Sequence, residues 1–152
     1  MDAPYRTRPA TSADAPALAA LERVAFTDPW SAVSLREVLT AESSFGFVAE
    51  GAGAVVGYGL GRIVADDGEI LNLAVAEEHR RRGIARALLD LMLARFDAGP
   101  VRQVFLEVRE GNVAAVTLYQ GEGFVLMDRR AEYYRHPVEA ALVLRRGRTP
   151  LA

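Results

Sequence analysis

Three runs rich in valine, isoleucine and aromatic residues follow one another between residues 45 and 76: FGFVAE, AVVGYGLGRIV and EILNLAVA. Only glycine-containing turns separate them, so they predict three consecutive antiparallel strands. A helix must come next, because Ile84, Ala87, Leu88, Leu91 and Met92 recur at i, i+3, i+4, i+7 and i+8. Around this centre, PYRTRPA (residues 4–10) reads as an edge strand. Thr11-Ser12-Ala13-Asp14 reads as a cap for a helix whose apolar stripe is Ala15, Leu18, Ala19 and Val24. TDPWS breaks that helix, and a second short one is expected from Ser31 to Leu39. VRQVFLEV is a strand, NVAAVTLYQGEG a short helix ended by glycines, and GFVLMDRR and PVEAALVLRR are closing strands. The order is strand, two helices, three strands, helix, strand, helix, two strands. It predicts an α/β (α+β) mixed sheet, mostly antiparallel with one crossover, of about seven strands and about four helices.

At 152 residues, 51% hydrophobic and 25% charged, the chain suits one domain with its own core, spanning 1–152. It has no cysteine, which excludes disulfides, thiolate nucleophiles and zinc–sulfur sites. His79 and His136 lie far apart without a second ligand at helical spacing, so no metal is expected. The opening residues lack the basic-then-apolar order of a signal peptide, and no apolar run is long enough for a bilayer. Cytoplasmic location is the resulting expectation. All 18 basic residues are arginine, and the net charge of −2 offers no global field for nucleic acid. Any anion site must be local.

GAGAVVG, residues 51–57, begins like a dinucleotide-binding glycine pattern, but its third glycine is one place late and a β-rich run follows. It is expected to be a hairpin turn. A better anion site is HRRRGIAR, residues 79–86, between an apolar strand and an amphipathic helix. A helix start presents unpaired N–H groups and the positive end of the helix dipole. Gly83 there removes a Cβ that would hold a phosphate away. Adjacent arginines either extend into solvent or surround a polyanion. The spacing Arg80-x-x-Gly83-x-Ala85 resembles the pyrophosphate loop of the GNAT family of N-acetyltransferases. That resemblance implies acetyl-CoA as cosubstrate, its pyrophosphate held by Arg81, Arg82, Gly83, Ile84, Ala85 and Arg86.

A second constellation is VFLEVREGNVAAVTLYQGEGF, residues 104–124. Val104, Leu106 and Val108 share one face of the strand, and Phe105, Glu107 and Arg109 the other. An unpaired buried carboxylate is costly, so Glu107 either faces water or works in a cleft. Asn112 is a good N-cap. Tyr119 lies two turns along the same side of the helix and is either a core aromatic with a wet hydroxyl or a functional phenol. With FTDPWS and RRAEYY, this run is similar to the branch of the GNAT family that acetylates the N-terminal alanine of small-subunit ribosomal protein eighteen. By that resemblance Glu107 is the general base and Tyr119 the general acid. Leu73, Ala74 and Val75 pair their backbone with the pantetheine arm, and Asn112 contacts the cofactor.

The chemistry suits these residue types. An α-amino group of pKa about 8 must lose a proton to attack a thioester, and a thiolate leaving group of pKa about 8.5 must gain one. A glutamate near pKa 4.3 is a weak acceptor, so the reading needs either a water relay or a Glu107 shifted upward by apolar neighbours. A backbone N–H near Val75 is the candidate oxyanion donor. At the substrate end the sequence departs from the family pattern. Leu35 replaces an aromatic, the Arg-Arg to Tyr-Tyr spacing has an extra residue, and Val138-Glu139-Ala140 stands for Glu-Asp-Ala. Trp30, Tyr133 and Tyr134 either line a peptide groove or are structural aromatics. Three functions therefore stand open: the ribosomal-protein acetyltransferase, a relative acting on other protein N-termini or a small amine, and a non-catalytic CoA-binding module. None calls for nucleic acid or a membrane as partner.

Overall fold

The structure, a computed structural model, describes residues 5–147; Pro4 of the expected first strand and the last five residues of the expected domain lie outside them. The elements are β1 (Tyr5–Pro9), α1 (Ala15–Ala25), α2 (Ala32–Thr40), β2 (Ser44–Gly51), β3 (Ala54–Val64), β4 (Asp67–Val75), α3 (Ile84–Asp97), β5 (Gln103–Arg109), α4 (Val113–Gly121), β6 (Val125–Tyr134) and β7 (Glu139–Gly147). Short 3-10 turns at Ser12–Asp14 and Glu77–His79 precede α1 and α3. The sheet order is β1-β2-β3-β4-β5-β7-β6. The expected order of elements is present, with β4 and β5 paired in parallel and every other described pairing antiparallel.

The described residues divide into two compact units, one of those up to 62 with 71–95, the other of 63–70 with those from 96 onward. In the first, β2 and β3 join through Ala52 and Gly53, whose φ angles of 53° and 79° make the two-residue hairpin expected of GAGAVVG. Thr11 and Asp14 form the capping box ahead of α1. Asp14 also takes two bonds from Arg8, at 2.8 and 2.9 Å, which hold its carboxyl below the usual range. The Ser31 hydroxyl caps α2 by accepting from the Ser34 N–H at 3.1 Å. A Cβ on Gly59 would stand 2.5 Å from Met92 Sδ, so that glycine lets α3 lie close on β3.

Two apolar stripes differ from expectation. On α1 the buried positions are Ala15, Leu18, Ala19 and Glu22, whereas Val24 is 77% exposed. Position 22 continues the i, i+3, i+4, i+7 series, and position 24 falls on the opposite face. On α3 the buried residues are Ile84, Leu88, Leu89, Met92, Leu93 and Phe96, while Ala87 is exposed and Leu91 half-buried. The stripe is rotated toward larger side chains, which gain more by burial than alanine does. Leu35 is fully buried in the core cluster of Leu18, Val48 and Tyr58, so it offers no surface to a peptide.

In the second unit, β5 pairs with β7 along its whole length, Gln103 opposite Gly147 through Arg109 opposite Ala141. Val104, Leu106 and Val108 are buried and Glu107 is exposed, as the alternation requires. β6 runs on to Tyr134, past the expected end at Arg130, and forms the sheet edge.

Candidate active site

In the first unit, β4 delivers half-buried Leu73 and buried Ala74 and Val75 to a tight turn. Arg80 Nε donates to the Val75 carbonyl at 3.1 Å and ties the turn to the strand end. Arg81 and Gly83 take left-handed φ angles of 63° and 79° in the turn before α3 starts at Ile84. Nothing lies within 4 Å of where a Gly83 Cβ would stand. The left-handed φ is what demands glycine there, and the space beside it is open. The first-turn N–H groups of α3 add the positive end of its dipole, and Arg81, Arg82 and Arg86 are exposed around it. Helix-start N–H groups and guanidiniums are donors of the kind that a diphosphate takes.

One partner of this loop comes from β1. Arg82 Nη1 donates to the Tyr5 hydroxyl at 2.7 Å, and that hydroxyl lies 2.9 Å from His79 Nδ1. The phenol oxygen thus accepts from Arg82 and shares a hydrogen bond with the imidazole, whose tautomer sets which of the two donates. The Tyr5 and His79 rings meet edge to face at 5.6 Å.

Trp30, also in this unit, lines a pocket of about 450 Å³ together with Ser34, Glu37, Val38, Arg62 and Leu71. Its backbone N–H donates to Glu22 Oε1 at 3.0 Å. Glu22 is wholly buried and also accepts from the Tyr58 hydroxyl and from Asn72 Nδ2. Burial pushes its carboxyl above the ordinary range, and the Tyr58 and Trp30 donors oppose that push.

The second unit holds Glu107, Asn112, Tyr119, Tyr133 and Tyr134. Glu107 Oε1 accepts from Arg130 Nη1 at 3.1 Å, with about a third of its side chain exposed. Tyr133 also hydrogen-bonds Glu107, which raises the phenol, and Arg130 lies 5.7 Å from the Tyr133 ring centre. Tyr134 packs edge-on against Tyr133 at 5.2 Å and under Arg109 at 4.4 Å, and burial pushes its phenol up to about 12. Arg109 bonds the carbonyls of Arg135 and Pro137 and the Glu139 carboxylate, so β5 holds the β6–β7 turn. Asn112 Oδ1 accepts from the Ala115 N–H at 3.2 Å, which is the N-cap role. Tyr119 is buried against Phe124, their rings 5.6 Å apart, and burial holds its phenol well above the usual range.

A family model described as the Acetyltransferase (GNAT) family matches residues 15–124. The chain belongs to this family. The ribosomal protein bS18-alanine N-acetyltransferase of Escherichia coli K12 is 31% identical to this GNAT chain over 121 residues, 80% of this chain and 81% of the relative. The N-alpha-acetyltransferase RimI of Mycobacterium tuberculosis is 36% identical over 142 residues, 90% and 88% of the two chains. Among solved structures, the ribosomal-protein-S18-alanine N-acetyltransferase from Escherichia coli matches with a TM-score of 0.89 at 26% identity, covering 97% of this chain and 96% of that one. The GNAT chain is an acetyl-CoA-dependent N-acetyltransferase.

Pattern reading left out Tyr5 and His79 beside the arginine loop, Arg109 and Arg130 beside Glu107, and Glu22. The contacts of Tyr5 with Arg82 and His79 and of Arg130 with Glu107 join residues far apart in sequence, whereas Arg109, on the Glu107 face of β5, and Glu22, a charge at an apolar-stripe position, each carry a local signal. Among the described residues no group of histidines and carboxylates could hold a metal, and no helix is long and apolar enough to cross a membrane.

Proposed function

We propose that this chain is a single-domain N-alpha-acetyltransferase of the cytoplasm that transfers acetyl from acetyl-CoA to a protein N-terminal amine. The acceptor we assign is the N-terminal alanine of small-subunit ribosomal protein eighteen, the substrate class named for the Escherichia coli relative. The observation that carries the reading is the β5–α4 pair, which supplies an exposed carboxylate at Glu107 and a buried, proton-bearing phenol at Tyr119. These are a base and an acid, and direct attack of the amine on the thioester needs no more. Glu107 removes the amine proton through a water, because its neighbours are Arg130 and Tyr133 and not apolar side chains. Tyr119 returns a proton to the departing thiolate.

On the donor side, the backbone of Leu73, Ala74 and Val75 aligns the pantetheine arm, and a Val75 N–H serves the thioester carbonyl. The amides of Gly83, Ile84, Ala85 and Arg86, with the Arg81, Arg82 and Arg86 side chains, hold the pyrophosphate. The Asn112 oxygen is used as a cap, which leaves its amide N–H groups for the cofactor. Trp30, Tyr133 and Tyr134 are assigned to the acceptor. Mass spectrometry after incubation with acetyl-CoA and peptides differing only in their first residues tests the assignment. Preference for an N-terminal alanine supports it, acetylation of other first residues or small amines moves the acceptor, and hydrolysis alone leaves a CoA-binding module.

A further inference from the structure

Glu22 is the one wholly buried carboxylate among the described residues, and the acetyl-transfer chemistry does not use it. It joins three pieces of the first unit. It is carried by α1, it accepts from Tyr58 on β3 and Asn72 on β4, and it accepts from the backbone N–H of Trp30 in the turn between α1 and α2. Asn72 directly precedes Leu73-Ala74-Val75. Three donors converge on one carboxylate, and the core around it is built of apolar side chains, Leu18, Leu60 and Ala74 among them. A buried donor stripped of its acceptor costs enough to move a turn.

A leucine at this stripe position would fill the space but leave the Tyr58, Asn72 and Trp30 donors without this acceptor, so the carboxylate's work here is to hold them. The only tryptophan in the chain has its backbone fixed by Glu22 and its side chain on the wall of the 450 Å³ pocket. We propose that Glu22 is a positioning residue for the acceptor: its carboxylate, anchored by Tyr58 and Asn72, fixes the Trp30 turn against β4 and so sets the wall that the acceptor meets. The inference rests on assigning Trp30 to the acceptor side.

Two near-isosteres separate positioning from bulk stability. Glu22→Gln keeps both reach and an oxygen for the Trp30 N–H, and its amide can be matched by rotating the Asn72 amide and the Tyr58 hydroxyl. Glu22→Asp keeps the carboxyl group but withdraws it by one methylene. Glu22→Asp is expected to raise KM for an alanine-starting peptide about tenfold, the size of one lost buried hydrogen bond, with KM for acetyl-CoA unchanged. Glu22→Gln is expected to restore the wild-type peptide KM. Because Trp30 is the sole tryptophan, its emission maximum and acrylamide quenching report the turn directly, and both are expected to move in Glu22→Asp and not in Glu22→Gln. A Glu22→Asp protein that melts earlier but keeps its Trp30 emission and both KM values would make Glu22 merely structural and overturn the proposal. Wild-type protein that acetylates no peptide defeats the acceptor reading instead, and the fluorescence arm then still decides whether Glu22 holds the turn.

Discussion

Glu107 and Tyr119 sit in opposite environments, as the proposed base and acid require. Glu107 is partly exposed and paired to Arg130, whereas Tyr119 is buried and keeps its proton. Glu107→Gln and Tyr119→Phe are each expected to lower kcat by about 10²- to 10⁴-fold, the usual worth of a positioned acid or base. Acetyl-CoA affinity, measured by calorimetry, is expected to stay at the wild-type value in both. Ala52 shows a different kind of tension, since it holds a left-handed φ of 53° on an exposed hairpin turn. An L-residue with a Cβ pays about 1 kcal/mol for that conformation, so Ala52→Gly is expected to stabilise the fold by roughly that amount. A urea midpoint lower than wild type would contradict it.

At the level of elements, β1 contributes more than an edge strand. It carries Tyr5 to Arg82 and Arg8 to Asp14, and so braces both the arginine loop and the start of α1. Reversing one charge in the loop tests its anion role. Arg82→Glu is expected to weaken acetyl-CoA binding about tenfold or more, since a charged hydrogen bond is worth about 1.5–3 kcal/mol. Tyr5→Phe is expected to have a smaller effect in the same direction. The Asp14 bracket predicts a pH dependence. Its carboxyl sits below its unfolded value of 3.8 because Arg8 bonds it, so its stabilisation is present above that pH and is lost as pH falls through the lowered folded value. Asp14→Asn is expected to lose about 1 kcal/mol at pH 7 and progressively less toward acid, read from urea midpoints across the range.

For the whole molecule, the donor acetyl-CoA should act on folding as any ligand of the native state does. At a hundredfold excess over Kd it is expected to add about 2.7 kcal/mol and raise Tm by roughly 5–10 °C for a chain of this size. A single transition with equal calorimetric and van 't Hoff enthalpies is the outcome expected of one domain. The element order, the hairpin at Ala52-Gly53, the Thr11–Asp14 cap and the arginine-glycine helix start were all readable, because each is written in residues a few places apart. The β5 alternation that exposes Glu107 was readable for the same reason. The face of α3 was read one side-chain column away, since local periodicity does not say which neighbours compete for burial. Spacing favours position 22 over Val24 for the α1 stripe, but a carboxylate there reads as a surface residue. What made a carboxylate acceptable in the core was Tyr58 and Asn72, 36 and 50 residues away. Sequence alone thus determined which elements form and where the arginine-glycine helix start lies. Only the tertiary structure decided which side chains they enclose, Leu35 and Glu22 within and Val24 without, because burial depends on what packs across the gap and not on what lies next along the chain.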